Sequence, residues 1–198
     1  MAIPSDIAGL YAWYRASTFV LSDGDVCGNW IDYGGGGRTL TVTPASGFPK
    51  YRSNMIAGYP AIEMGGSGYF INTSWGWRTN LLNHTIFVVF LTNNTTGQNP
   101  ILCSQGGSVA EGFRAGPASG ASAGNASGAW ESTSASFVVE QAVSSGAWHY
   151  GYVALTNAAQ LAISIDGATE ATTALSGSRN ATYPSDYCTI NVDGGAYW

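Results

Sequence analysis

Charge is scarce in this chain. Only 10% of its 198 residues are charged, seven Lys and Arg against twelve Asp and Glu, for a formal net charge of −5. Roughly a quarter is usual for globular domains. Nucleic-acid binding needs clustered cations that displace counterions from phosphates, and the cations here are scattered. That argues against DNA, RNA and anionic membrane surfaces as partners. No apolar run approaches the roughly 18 residues that cross a bilayer as a helix. The two His and three Cys have no metal-ligand spacing. Cys27, Cys103 and Cys188 are an odd set, each within or beside an apolar run, and read as small buried thiols instead of a disulfide framework. Residues 1–6 lack a basic n-region and an apolar h-region. The expectation is a protein made in the cytoplasm, or one whose leader is missing from this sequence. Helical periodicity is nearly missing too: only residues 5–9 suit a helical turn, and Gly9 would stop it.

Aromatic and small residues are plentiful. Hydrophobic residues make up 45% of the chain, with 7 Trp, 11 Tyr and 27 Gly, enough to bury a sizeable core. Short runs of aromatic and β-branched residues alternate with Gly, Asp, Asn and Pro clusters, the signature of strands joined by tight turns. Strands are expected at 10–14, 26–31, 39–43, 60–64, 68–71, 85–92, 100–103, 110–115, 136–141, 147–155, 160–165, 169–173 and 187–192. The run Thr85-Ile86-Phe87-Val88-Val89-Phe90-Leu91 is apolar on both faces and predicts a central strand covered on both sides. His149 to Leu155 followed by Leu161 to Ile165 reads as a hairpin, and Asp166-Gly167 as a two-residue turn into the next strand. Residues 116–128 (GPASGASAGNASG) are the one low-complexity stretch, expected as an exposed loop or a close-packed contact surface. No domain boundary shows, so residues 1–198 are read as one domain.

The order of anchors in residues 10–70 carries a resemblance. Leu10, Trp13 and Ala16 come first, then Trp30 and Asp32 ahead of four glycines at 34–37. Pro49, Lys50 and Tyr51 follow, and then Gly58, Pro60, Ala61 and Ile62. With the apolar strand at 85–92, a Trp148 strand and Ile163-x-Ile165-Asp166-Gly167, the chain resembles the concanavalin A-like lectin/glucanase superfamily, in its laminin-G-like jelly-roll branch. The resemblance implies an all-β, two-sheet antiparallel sandwich. It departs from the family at Met64-Gly65-Gly66, where Phe-Asp-Gly is usual, and at 194–198, where the family's closing strand would begin. The expected consequence is an open sheet edge and self-association.

Catalytic sets are hard to assemble. A glycoside hydrolase needs two carboxylates a few ångströms apart, whereas Glu63, Glu111, Glu131, Glu140 and Glu170 stand singly. A polysaccharide lyase on such a fold would draw on His149, Tyr150, Tyr152, Arg114 and Gln141, yet His149 beside a Trp reads more readily as structural. No nucleophile elbow marks a serine hydrolase. The chain is therefore expected to be no enzyme and to need no cofactor. Laminin-G-like domains often bind calcium, and Asp23-Gly24-Asp25 offers hard oxygens for it, with a plain turn the favoured reading.

Glycan binding needs aromatic faces beside amide or carboxylate groups. Trp75, Trp77, Arg78 and Asn80 form the best such cluster, and Tyr183 with Tyr187 a weaker one; both are read as candidate glycan-binding or interface residues. Domains resembling this one are frequent in bacteriophage virions. The leading expectation is accordingly a virion structural protein, a capsid decoration protein or a head or tail fibre module. It would be oligomeric, with other virion proteins as partners and some affinity for cell-surface glycan. The alternative is a lectin-like carbohydrate-binding module of a secreted enzyme or tail spike, and a polysaccharide hydrolase or lyase comes third.

Overall fold

A computed structural model describes residues 6–43, 46–65, 68–75, 83–93, 99–105, 111–115, 124–131, 136–156, 160–176, 187–190 and 196–197. At 99–105, 111, 115, 131, 136, 187 and 196–197 it describes the backbone alone. The strands are β1 (Thr41–Thr43), β2 (Lys50–Ile56), β3 (Tyr59–Met64), β4 (Tyr69–Asn72), β5 (His84–Thr92), β6 (Asn99–Gln105) and β7 (Glu111–Ala115). They continue with β8 (Asn125–Glu131), β9 (Ser136–Ala142), β10 (Trp148–Thr156), β11 (Gln160–Ile165), β12 (Ala171–Ala174), β13 (Tyr187–Ile190) and β14 (Ala196–Tyr197). One seven-stranded sheet runs β1-β4-β13-β6-β7-β8-β9 and a second runs β12-β11-β10-β5-β14-β3-β2. Every pairing is antiparallel. The chain is an all-β sandwich, as its punctuation predicted.

The two sheets meet face to face through side chains of alternate residues. Phe90 of β5 touches Phe113 of β7 with ring centroids 5.4 Å apart, and both are fully buried with Phe70, Trp130, Ile62 and Ile163. Each such side chain contributes about 1.5–3 kcal/mol by leaving water. Polar groups also cross the gap. Gln141 of β9 accepts the Ile165 N–H of β11 at 2.6 Å and donates to the Thr169 carbonyl at 2.6 Å. Cys27 and Cys188 are buried thiols, as the sequence suggested for them.

Several expected elements take another form. Residues 10–14 are no strand, because their backbone is claimed by side chains. Trp13 N–H donates to Asp32 Oδ1 at 3.0 Å, and the Tyr11 carbonyl accepts Arg38 Nη1 at 2.9 Å. Residues 26–31 contribute only two isolated bridges, Val26 with Lys50 and Trp30 with Leu40. Conversely, β2 was not foreseen. It enters β3 through Ala57 and Gly58, at φ +47° and +87°, with Ile56 opposite Tyr59. Two consecutive left-handed residues are what a primed two-residue hairpin turn demands.

The low-complexity stretch also divides. Residues 116–123 lie outside the described residues, whereas 125–128 open strand β8 in the first sheet. Gly128 is small for a packing reason. A Cβ on Gly128 would lie 2.8 Å and 3.0 Å from the two methyls of Val153, on the opposite sheet.

The open edge expected after residue 194 is not found. Ala196 pairs with Met64 on one side and Thr92 on the other, and Tyr197 with Glu63 and Leu91. The 196–197 strand thus sits inside the second sheet, between β3 and β5. Asp166-Gly167 does form its turn, with φ of +53° and +73° and Ala168 N–H bonded to the Ile165 carbonyl at 2.9 Å. Pairing resumes only at Ala171 opposite Ile163, later than a two-residue hairpin would give.

Candidate functional site

Of the expected loop cluster, only Trp75 has a described side chain. Trp77, Arg78, Asn80 and Tyr183 lie outside the described residues, and Tyr187 is described only as backbone in β13. Trp75 is buried, at 3% exposure. Tyr14 stacks on it at 6.0 Å and 26°, Tyr11 meets it edge-on at 5.8 Å, and the Tyr11 hydroxyl donates to its carbonyl. A ring covered in this way offers no face to a sugar, so Trp75 is corrected from glycan contact to packing residue. Burial raises the Tyr14 phenol above its ordinary range, and its hydroxyl donates to the Arg38 carbonyl. Asp32 completes this clasp, accepting the N–H groups of Trp13 and Gly34 at 3.0 and 2.8 Å. It anchors a turn and the N-terminal segment together.

Asp23 and Asp25 are likewise occupied. Asp23 Oδ1 accepts Ser53 N–H at 2.9 Å, which is the main reason its carboxyl is held below the ordinary carboxylate range, and Arg52 lies 3.4 Å from Oδ2. Asp25 closes its own turn through Ser22 N–H at 2.8 Å. Among the described residues no three His, Cys, Asp or Glu are gathered as a metal would need.

His149, a possible base on sequence grounds, stands between two turns. Its Nδ1 lies 2.6 Å from Asp166 Oδ2, its Nε2 lies 3.2 Å from Ser144 Oγ, and Phe90 packs on the ring at 5.5 Å. The connectivity is that of a serine-hydrolase triad. However, Nε2 also lies 3.2 Å from the Ser144 amide nitrogen and 3.0 Å from the Ser144 carbonyl oxygen, so the backbone of this turn already engages it. Asp166 Oδ1 in turn accepts Tyr150 N–H at 3.0 Å. The set braces the β9–β10 turn against the turn after β11.

The exposed apolar surface lies elsewhere, and the sequence reading placed it in the interior. Strand β5 is not doubly covered: Phe87 is 72% exposed and Val89 50%. Its other face carries Ile86 and Phe90 into the core. Register sets Phe87 directly opposite Tyr152 and Val89 opposite Tyr150 on β10. Tyr150 is also exposed, and the Phe87 and Tyr152 rings lie 5.8 Å apart at 54°. The Tyr152 hydroxyl donates to Glu170 Oε2 at 2.6 Å, a bond that pushes its phenol pKa up. Four adjacent apolar side chains with a carboxylate at their margin form the best candidate site among the described residues. A signal was present, because two neighbouring strands each place apolar residues at i and i+2 (Phe87 and Val89, Tyr150 and Tyr152).

No family model matches the sequence, and no curated protein matches it. Solved structures do share its architecture. The binding domain of botulinum neurotoxin DC in complex with SialylT superposes with a TM-score of 0.60 at 14% identity, covering 92% of this chain and 46% of that one. The chain has a β-rich, lectin-like fold. A botulinum neurotoxin type C structure, whose cell entry depends on interaction with two ganglioside molecules, gives a TM-score of 0.57 at 14% identity, over 90% and 44% of the two chains. A carbohydrate esterase from the Shiga toxin-encoding bacteriophage phi24B gives 0.51 at 11% identity, over 80% and 86%. The present chain therefore spans less than half the length of the neurotoxin chains it resembles.

Proposed function

We propose that the chain is a non-enzymatic, lectin-like module of the concanavalin A-like, laminin-G-like kind, which presents the outer face of its second sheet to carbohydrate. The observation that carries this reading is the Phe87, Val89, Tyr150 and Tyr152 platform with Glu170 beside it. Apolar rings left adjacent in water mark a contact surface. Rings with a nearby hydrogen-bond acceptor suit sugars, whose C–H faces are drawn to the negative faces of aromatic rings. Support comes also from neighbours of the same architecture that are described with SialylT and with gangliosides. The setting we propose is a bacteriophage virion, as capsid decoration or a head or tail fibre module that associates with other virion proteins and with itself. The sparse charge of the chain favours such protein and glycan contacts over nucleic acid.

A printed array of neutral and acidic oligosaccharides tests the glycan reading: wild type binds at least one class, and Phe87→Ala loses that binding while keeping its circular dichroism. Silence across the array overturns it. Light scattering and co-sedimentation with phage particles test the setting, and a monomer that attaches to no particle rejects it.

A further inference from the structure

The charges around the platform bear on which sugars it accepts, and this step rests on the carbohydrate reading above. Among the described residues no Lys or Arg stands at the platform. Arg15 lies over the Tyr33 ring at 3.5 Å, Arg38 over Tyr11 at 3.6 Å, and Lys50 over Phe48 at 4.8 Å. Arg52 is paired with Asp23 at 3.4 Å and with Glu63. It belongs to β2, three strands from β5, or about 14 Å at the usual strand spacing, beyond a Debye length of about 8 Å at physiological salt. Arg114 is buried in the other sheet. His84 shares the inward face of β5 with Ile86 and Phe90 by strand alternation.

The platform is bordered by anions instead. Glu170 accepts from Tyr152 at 2.6 Å on one margin. On the same side of β10, Asp166 accepts the Tyr150 N–H at 3.0 Å and lies 2.6 Å from His149 Nδ1, with 44% of its side chain exposed. The pairing of β11 with β12, Ile163 opposite Ala171, sets Glu170 level with Ser164, which itself faces Tyr152. Phe87, Tyr152, Ser164 and Glu170 therefore form one row across four strand positions. Tyr152 reaches over Ser164 to the carboxylate, in keeping with the burial of Ser164 on the outward side of β11. The row offers a stacking surface that ends in an acceptor for sugar hydroxyls.

We infer that this row selects neutral pyranose chains and turns away sialylated and uronic ones. Phe87 and Tyr152 stack on the sugar C–H faces, and Glu170 orients the ring through its hydroxyls. A carboxylated sugar placed there meets Glu170 and Asp166, the latter already shared with His149 Nδ1 at 2.6 Å, and no Lys or Arg among the described residues. Such like-charge opposition acts on specificity more than on affinity for the accepted ligand.

The experiment uses the 198-residue chain on an array that carries neutral gluco-, galacto- and N-acetylhexosamine oligosaccharides beside sialylated and uronic counterparts. Wild type binds neutral members. Phe87→Ala and Tyr152→Ala each weaken that binding at least about tenfold, the effect of losing 1.4 kcal/mol. Glu170→Gln keeps an acceptor without the charge, so it retains neutral binding and gains signal on the acidic members. Binding confined to sialylated or uronic members overturns this inference and leaves the glycan reading standing. Neutral binding unchanged in both aromatic variants also overturns it, by moving the site elsewhere. No binding to any member overturns both. Circular dichroism and thermal melting on each variant confirm that it is folded.

Discussion

Gly128 faces Val153 across the two sheets with no room for a side chain: a Cβ at position 128 would fall 2.8 Å from one Val153 methyl and 3.3 Å from a methyl of Val139. Val side chains are stiff about χ1, so neither methyl swings away at low cost. Ala ordinarily suits a strand better than Gly. Here overpacking outweighs that preference, and Gly128→Ala is expected to destabilise by about 1–3 kcal/mol. Urea denaturation measures it. A stability equal to or above wild type would refute the packing account, and Val153→Ala in the same background should recover part of the loss.

The His149 brace makes a second prediction. His149→Ala removes partners from Asp166 and from the Ser144 turn at once, leaving polar groups short of a bond at about 1–3 kcal/mol. Asp166→Ala breaks the same link and also the Tyr150 N–H bond. Because both variants sever one network, the double variant should cost less than the sum of the singles by at least about 0.5 kcal/mol. Strict additivity in a denaturation cycle would show that the two turns are not coupled through this pair.

The two faces of β5 should respond in opposite ways. Phe90 is fully buried and Phe87 is 72% exposed, so Phe90→Ala is expected to cost about 3–5 kcal/mol. Phe87→Ser should stay within about 0.5 kcal/mol of wild type. Thermal melts of the two variants side by side are sufficient. Equal losses would restore the doubly covered strand that the sequence suggested.

Cys27 is expected to be chemically silent in the folded protein. Burial pushes its thiol from 9.0 up to about 12, and only the thiolate reacts. Iodoacetamide at pH 8 should label position 27 in urea and leave it unlabelled in buffer. The sign of the linked stability follows. A folded value above the unfolded one means this stabilisation is complete below pH 9.0 and is lost as the pH rises toward about 12. Cys27→Ala should flatten that alkaline slope.

Much of the strand inventory was legible because alternation and turn chemistry are local. The β10–β11 hairpin, the Asp166-Gly167 turn and the buried Trp30 and Asp32 anchors all follow from residues close together in the chain. The errors share one physical cause, which is competition from distant partners. Residues 10–14 have strand composition, yet Asp32 and Arg38 take their backbone groups. Residues 125–128 have the composition of an exposed loop or a contact surface, yet they open strand β8, where the opposite sheet leaves no room for a side chain at Gly128. Trp75 looks like an exposed loop aromatic until Tyr11 and Tyr14 close over it.

By itself, the sequence determined the all-β class, the scarcity and scatter of cations and the residue types available for stacking, since each depends on composition and on neighbours a few positions apart. Only the tertiary structure decided which face of β5 meets water, because a strand that is apolar on both faces from Ile86 to Leu91 carries no alternation to orient it. The pairing of β5 with β10 settles that question, setting Phe87 beside Tyr152 on the outer face and turning Phe90 against Phe113 in the core.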